Sequence, residues 1–139
     1  MCPLVRQYRP PARGLVVEFP AGLLNADEDA AHGALRELRE ETGYTGSVTA
    51  VTPPAFTSPG LSSESVFLVF ATVDETAPEN GSAAARPDDG EFLETLLVPR
   101  AEARTFWTEE TARGTAFDAK VAAYLSWASF HNREIEPLG

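Results

Sequence analysis

The segment from Gly22 to Tyr44 carries three glutamates that a single helix would bring close together. Residues three and four positions apart on a helix have Cβ atoms roughly 5–6 Å apart, so Glu37 and Glu41 project from one face, with Glu40 beside them. Like charges at this spacing destabilise a helix unless a cation lies among them. Carboxylate oxygens suit magnesium, which commonly shares its shell with water and substrate phosphates. The cluster therefore predicts a magnesium site, although a solvated acidic face paired with neighbouring arginines would have the same spacing.

The same segment has the pattern of an amphipathic helix, which we expect from Glu28 to Thr42. Its inward face would consist of Ala31, Ala34, Leu35 and Leu38. Asp27 is the expected N-cap, and the acidic residues after it suit the positive end of the helix dipole. Gly43 would supply the left-handed residue that ends the helix.

The fixed residues of this segment follow the order of the Nudix box. They are Gly22, then Glu28 after five residues, Arg36-Glu37-Leu38 after seven more, Glu40-Glu41 and Gly43-Tyr44. The chain therefore resembles the Nudix hydrolases, with a box at residues 22–44. The resemblance implies an α+β Nudix fold, an α/β/α sandwich with a mixed β-sheet and a catalytic loop-helix-loop. It also implies magnesium-assisted hydrolysis of a nucleoside diphosphate linked to another moiety, with manganese as a substitute ion.

Length and charge narrow the class of protein. A chain of 139 residues is expected to form one domain, over residues 1–139. The formal charge of −10 argues against a nucleic-acid polymer as partner, because such partners require clustered Lys and Arg. Seven acidic residues fall between positions 18 and 41, so bound metal ions could compensate part of the charge.

Two further features of the sequence concern the cellular compartment. No stretch has the roughly 18 apolar residues needed to cross a membrane, and no secretory signal pattern opens the chain. Cys2 is the single cysteine, which rules out an internal disulfide and makes a reducing cytosol the default compartment. We therefore expect a cytoplasmic protein without a membrane partner, and a nuclear location is also compatible.

The rest of the chain alternates apolar runs with turn signals, which fits a mixed sheet covered by helices. The expected strands are Leu4–Tyr8, Leu15–Phe19, Val48–Val51, Ser65–Val73 and Glu91–Val98. The nearly continuous apolar run in residues 65–73 predicts a central strand buried on both faces. Residues 74–90 form either a disordered segment or a functional loop, because they are too long for a simple connector. Helices are expected over residues 101–112 and 117–132.

Outside the box, the chain is most similar to the ADP-ribose (ADP-sugar) pyrophosphatases of the Nudix family. Residues 4–11, Leu-Val-Arg-Gln-Tyr-Arg-Pro-Pro, resemble the strand and turn before their substrate site. Residues 18–22, Glu-Phe-Pro-Ala-Gly, resemble their entry to the box. Pro59 lies sixteen residues beyond Gly43, a separation that in these enzymes marks a preference for ADP-ribose. The resemblance implies a small nucleotide-sugar substrate, cleaved to AMP and ribose 5-phosphate.

The resemblance also implies which residues hold the metal. The ligands would be the Ala21 carbonyl, Glu37 and Glu41, with Glu40 as a shared ligand or as outer support. Two or more magnesium ions would bridge the diphosphate and orient a water for in-line attack on the adenosyl phosphorus. Arg36 would fix the glutamates by ion pairing.

The base and the substrate contacts complete the implied site. Glu91 resembles a loop glutamate that takes a proton from the attacking water, although it could instead be an exposed carboxylate that opens a strand. Glu64 is a second candidate for this base. The guanidinium of Arg9 would meet the diphosphate, and Glu18 would hold the adenine amino group or the ribose. The implied substrate-binding residues are Arg9, Glu18, Gly22, Leu23, Pro59 and Glu64.

One departure from the subfamily concerns the N-terminal region. Its members carry several further strands there, which supply a dimer contact and the aromatic residues that clamp adenine. We therefore expect either a naturally short variant, a truncated gene model or a fragment, with homodimer formation in doubt.

Three other functions remain open at this stage. The substrate could be a different nucleoside diphosphate derivative, such as an oxidised nucleotide, or the chain could be a weakly active nucleotide-binding Nudix module. A calcium-binding acidic protein is disfavoured, because the sequence contains no EF-hand loop.

Overall fold

The computed structural model describes residues 1–81, 84–85 and 93–131, and these belong to two compact units. One unit comprises residues 1–20 and 87–139, and the other comprises residues 21–86. In chain order the elements are β1 Cys2–Arg9, β2 Gly14–Glu18, α1 Ala30–Thr42, β3 Ser47–Val51, β4 Ala55–Phe56, β5 Ser65–Val66, β6 Val69–Thr72, β7 Leu93–Val98, α2 Ala103–Ala112, β8 Ala116–Phe117 and α3 Ala119–His131. The single domain over residues 1–139 stays a prediction.

The first unit contains a four-stranded mixed sheet in the order β7-β1-β2-β8. Strand β1 pairs antiparallel with both β2 and β7, whereas β8 runs parallel to β2. A short turn at Pro10–Ala12 closes the hairpin between β1 and β2, with Arg13 in the left-handed conformation (φ 53°). The predicted α+β class with a mixed sheet is confirmed.

The core of the first unit lies between this sheet and the helices α2 and α3. Its buried residues are Leu4, Val17, Val98, Ala103, Val121, Leu125 and Ala128. The last helix contributes Val121, Leu125 and Ala128, all buried, and the half-buried Tyr124 packs against this core. The start of that helix was placed too early, at Phe117. This residue instead extends β8, where it pairs with Val17.

A buried carboxylate lies beneath the same sheet. Glu110 on α2 is 2% exposed and accepts hydrogen bonds from Arg6 Nη1 (2.7 Å), Thr115 Oγ1 (2.8 Å) and Arg113 Nη1 (2.5 Å). Arg6 lies on β1 and also donates to Glu94 across the strand pair, at 2.6 Å. Burial raises the pKa of Glu110, but the bonds from Arg6, Thr115 and Arg113 outweigh it, so this pKa lies below its ordinary value. The cluster thus joins α2 to two strands of the sheet.

In the second unit, α1 packs against the antiparallel pair β3 and β6. The predicted N-cap, Asp27, is wrong: Asp27 has a positive φ of 64°, and the cap is Asp29, whose side chain accepts from the backbone N–H of His32. Glu28 therefore lies before the helix rather than in its first turn. The predicted helix end at Gly43 is confirmed, with a φ of 77°.

The prediction of a buried central strand over residues 65–73 is wrong. The run is divided into β5 and β6, and Phe67 and Leu68 lie between them. Phe67 and Phe70 are 42% and 57% exposed, and among the described residues β6 has a pairing partner on one side only. A continuous apolar run therefore does not mark a doubly covered strand in this unit.

The beginning of the long segment 74–90 is ordered by one buried side chain. Asn80 accepts a hydrogen bond from the Thr45 backbone N–H at 2.8 Å and donates to the Asp74 carbonyl at 2.8 Å. Residues 82–83 and 86–90 lie outside the described residues.

Across the part of the chain that the structure describes, no helix combines the length and the apolar character needed to span a bilayer.

Candidate active site

The guanidinium of Arg36 lies at the centre of the glutamate cluster on α1. Its Nε and Nη2 atoms donate to the two carboxylate oxygens of Glu28, each at 3.0 Å. Its Nη1 atom donates to Glu37 at 2.6 Å and to Glu40 at 2.9 Å. The Leu23 carbonyl accepts the remaining bond from Nη2, at 3.0 Å. All five N–H groups of this side chain are therefore used, which fixes two of the predicted catalytic carboxylates relative to the loop before the helix.

These bonds keep both partners of the main ion pair charged. The bonds from Arg36, together with the Asn25 backbone N–H, lower the pKa of Glu28 from 4.5 to about 2. The pKa of Arg36 is raised, chiefly by Glu28 and then by Glu37. Because the folded pKa of Glu28 is depressed, its contribution to stability is present above pH 4.5 and is lost as the pH falls toward 2.

The third glutamate, Glu41, lies one helical turn beyond Glu37 and is only 4% exposed. Its Oε2 atom accepts a hydrogen bond from the backbone N–H of Ala21 at 3.0 Å. This bond joins the C-terminal turn of α1 to the residue immediately before the box. The structure thus brings Ala21 and Glu41, both predicted metal ligands, into direct contact.

Gly22 faces the carboxylate of Glu37. A Cβ atom built at this position would overlap Oε1, Cδ and Oε2 of that side chain. The φ of Gly22 does not fall in the left-handed range, so the glycine is required for space rather than for backbone conformation. The absence of a Cβ at Gly22 therefore leaves room for this carboxylate.

The donors of the cluster fit a hard divalent cation in chemical type, since all are carboxylate or carbonyl oxygens. Among the described residues, however, no three His, Cys, Asp or Glu side chains converge on a point that could hold a metal ion. The guanidinium of Arg36 lies between Glu37 and Glu40, in the position between like charges that a cation would take. Arg36 uses one oxygen of each carboxylate, Glu37 Oε1 and Glu40 Oε2, so a metal ion at these glutamates would bind through their other oxygens.

Two open cavities lie within the unit of residues 21–86. One, of about 560 Å³, is lined by Leu35, Arg36, Arg39, Glu40, Thr45 and Gly46. The other, of about 390 Å³, is lined by Phe56, Pro59, Gly60, Leu61, Ser62 and Ser63. Pro59, predicted to mark the substrate preference, thus lines a cavity, while the nearby Glu64 is exposed.

Two predicted substrate-binding residues of the other unit contact each other. Arg9 Nη2 donates to Glu18 Oε2 at 2.7 Å, and Nε donates to both oxygens of the same carboxylate. Gln7 donates to Glu18 as well, at 3.0 Å. A diphosphate that uses Arg9 must therefore compete with this ion pair. The predicted base, Glu91, lies outside the described residues, and all these roles stay predictions.

Sequence reasoning missed two ion pairs, Arg36–Glu28 and Arg6–Glu110. Glu28 is a fixed position of the box. Its pairing with Arg36 was not predicted because Glu28 was assigned to the first helical turn, whereas it lies in the loop before the helix. Glu110 has no local signal. Arg6 does, because it is a charged residue that follows the buried Leu4 and Val5 on the same strand, where it requires a partner.

Comparisons with known proteins agree with the motif. A family model for the NUDIX domain matches residues 2–125. An ADP-ribose pyrophosphatase of Saccharomyces cerevisiae is 38% identical over 118 residues, which are 85% of this chain and 51% of that protein. An ADP-sugar pyrophosphatase of Mus musculus is 38% identical over 122 residues, 87% of this chain and 56% of that protein. An ADP-ribose pyrophosphatase of Bacillus subtilis is 36% identical over 100 residues, 72% and 52% of the two chains. The chain thus spans about half the length of these curated relatives.

Proposed function

Because this chain belongs to the Nudix family, we propose that it hydrolyses the diphosphate of ADP-ribose or a related ADP-sugar, with release of AMP and a sugar phosphate. The observation that carries the proposal is the arrangement around Arg36, which holds Glu37 and Glu40 on the same helix as the buried Glu41. The relatives named for ADP-ribose and ADP-sugar substrates support this choice of substrate.

The proposed activity uses a divalent ion, magnesium by our assignment, with the Ala21 carbonyl, Glu37, Glu40 and Glu41 as its ligands. When bound, such an ion supplies charge neutralisation at the diphosphate and polarises a water molecule. The oxygen donors of these residues are of the type that magnesium prefers.

The chain's own contribution is to hold these groups in place before the substrate arrives. The bond from the Ala21 N–H to Glu41 fixes the loop against the helix. The carbonyl of the same residue, Ala21, is one of the proposed metal ligands. The bonds from Arg36 set the direction of Glu37 and Glu40. Preorganisation of this kind lowers the barrier because little reorganisation remains for the reaction itself. Glu91 is our proposed acceptor of the proton from the attacking water.

We expect purified protein with excess magnesium to release AMP from ADP-ribose, and chelation by EDTA to abolish this release. Chromatographic detection of AMP checks this directly. The same assay with another ADP-sugar, an oxidised nucleoside diphosphate and a nucleoside triphosphate identifies the preferred substrate. Binding of nucleotide with no release of AMP would contradict the proposed hydrolysis and favour the weakly active binding module.

Gly22→Ala is expected to lower the rate of AMP release by about 100-fold, because the new methyl group displaces the carboxylate of Glu37. Gly81→Ala is the matched control. Its Cβ would meet only the Pro78 carbonyl, at 3.5 Å, and its φ of −67° suits alanine. Steady-state rates and circular dichroism of both variants make the comparison. Equal rates for the two variants would show that the position of Glu37 is unimportant.

A further inference from the structure

One buried amide ties the turn after α1 to the start of the segment 74–90. The side chain of Asn80 is part of a residue that is 6% exposed. Its Oδ1 atom accepts from the Thr45 backbone N–H at 2.8 Å and from the Thr45 hydroxyl at 3.2 Å. Its Nδ2 atom donates to the carbonyls of Thr45 at 3.1 Å and Asp74 at 2.8 Å. We call these four bonds between Asn80, Thr45 and Asp74 the Asn80 clip.

The clip requires an amide and excludes a carboxylate. The carbonyl oxygens of Thr45 and Asp74 accept hydrogen bonds, and the two hydrogens of Nδ2 are the donors that reach them. An ionised carboxylate at this position has no hydrogen to donate, so its second oxygen would face two carbonyl oxygens. Buried acceptors without a donor destabilise the arrangement. Conversion of the amide to an acid would therefore open the clip.

The residue that follows Asn80 makes its amide chemically labile. Of the three asparagines in the sequence, only Asn80 precedes a glycine. The backbone nitrogen after an asparagine is able to attack its Cγ atom, and glycine has no side chain to hinder the approach. The turn itself does not need this glycine, because a Cβ at Gly81 would meet only the Pro78 carbonyl, at 3.5 Å.

The reaction at this pair of residues is a deamidation, and water is its only other reactant. The Gly81 nitrogen gives up its proton and bonds to Cγ of Asn80, while the bond from Cγ to Nδ2 breaks and ammonia leaves. The product is a five-membered imide. Water then opens one of the two carbon–nitrogen bonds of the imide, which yields aspartate or isoaspartate. The net change replaces an amide and water by an acid and ammonia, with no oxidation or reduction.

The folded clip holds this reaction back. The Gly81 N–H donates to the Pro78 carbonyl at 3.3 Å, and the Asn80 N–H donates to the Ala77 carbonyl at 2.9 Å. Attack on Cγ requires the Gly81 nitrogen to leave its partner and the amide to turn away from Thr45. The reaction therefore proceeds from a locally opened state, whose population is small when the hydrogen bonds are buried.

We propose that Asn80 is a deamidation site that the fold protects, and that its conversion opens the Asn80 clip irreversibly. Thr45 lines the cavity of about 560 Å³ together with Arg36 and Glu40, so one wall of that cavity loses its anchor when the clip opens. The inference is independent of the proposed hydrolysis, because neither the clip nor the reaction involves a substrate.

The first test follows the conversion of Asn80 by peptide mass spectrometry at mildly alkaline pH. Native protein is expected to convert Asn80 at least about tenfold more slowly than protein denatured in guanidinium chloride, because local opening limits the reaction. Gly81→Ala is expected to slow the conversion in denatured protein about tenfold, because the methyl group hinders the attack. Asn25 is the internal reference, since it is exposed and precedes an alanine, and its slow conversion should differ little between the two states.

The second test measures the opening of the clip. Asn80→Asp reproduces one product of the reaction and is expected to speed hydrogen exchange of the Thr45 amide at least about tenfold, as observed by NMR. Asn25→Asp is the matched control, because it makes the same change of charge at an exposed position of the same unit. The amide of the buried Leu38 on α1 reports on the rest of the unit and should keep its slow exchange.

Three results would overturn the inference. The first is equal conversion of Asn80 in native and denatured protein, and the second is an unchanged rate in denatured Gly81→Ala. The third is exchange at Thr45 that does not differ between Asn80→Asp and Asn25→Asp, or that rises in Asn80→Asp only together with exchange at Leu38. Release of AMP from ADP-ribose bears on none of these outcomes, so failure of the proposed hydrolysis would leave the inference standing.

Discussion

Replacement of Glu41 by glutamine is expected to lower the rate of AMP release from ADP-ribose by about three orders of magnitude, equivalent to about 4 kcal/mol of transition-state stabilisation. Glu41 is 4% exposed, so its charge is poorly solvated unless a cation or a hydrogen-bond donor compensates it. Glutamine has nearly the same shape and retains an oxygen that can accept the bond from the Ala21 N–H. The substitution therefore removes the charge and largely preserves the geometry.

The matched control is Glu79→Gln, an exposed position of the same unit outside the proposed site. Rates for the two variants are measured under identical magnesium concentrations, and thermal unfolding verifies that both are folded. If Glu41→Gln retained the rate of Glu79→Gln, Glu41 would not be a metal ligand. The proposed reaction would then lose its main support.

Replacement of Glu110 by alanine is expected to lower the free energy of unfolding by about 3 kcal/mol, because it leaves the Arg6 guanidinium without a buried partner. Arg6 is only 19% exposed, and water therefore compensates poorly for the lost carboxylate. For a domain of this size, the loss corresponds to a fall in Tm of about 10 °C. Thermal and denaturant unfolding measure the change.

The adjacent residue provides the control. Glu109→Ala removes a carboxylate that is 59% exposed and pairs with Arg113 at 3.9 Å, so its Tm should change little. The difference in free energy of unfolding between wild type and Glu110→Ala should also depend on pH. Because the folded pKa of Glu110 lies below its ordinary value of 4.5, its stabilisation is present above that pH and is lost as the pH falls through the lowered pKa. If Glu110→Ala changed the Tm no more than Glu109→Ala does, the structural role of the contacts around Glu110 would be contradicted.

Local patterns of the sequence predicted the helix of the box well. The helix and the glycine at its end depend on neighbouring residues alone, and the structure confirms both. Of the four predicted inward residues only Leu38 is buried, whereas Ala31, Ala34 and Leu35 are half-buried. The N-cap was assigned to the wrong residue because Asp27 and Asp29 are equally good caps by residue type. Only the backbone conformation distinguishes them: Asp29 is extended, with ψ of 160°, whereas Asp27 has a positive φ.

Features that depend on distant residues were not predictable from periodicity. Whether Phe67 and Phe70 are buried depends on which elements pack over them, and an apolar run contains no such information. The bond between Arg6 and Glu110 joins residues 104 positions apart. The motif placed Glu37, Glu40 and Glu41 on one helix, and the resemblance implied that Arg36 pairs with glutamates. Neither indicated that Arg36 would also bind Glu28 and the Leu23 carbonyl in the preceding loop.

The five hydrogen bonds of Arg36 bear on which substitutions this position tolerates. A lysine would keep the positive charge but has three N–H donors, which radiate from one atom and cannot reproduce a planar fork. The carboxylate of Glu28 and the carbonyl of Leu23 would then lose partners. Substitution scores that treat Arg and Lys as near equivalents therefore underestimate the constraint at residue 36. Variation among natural sequences should be lower here than at the exposed Arg39, three residues later on the same helix.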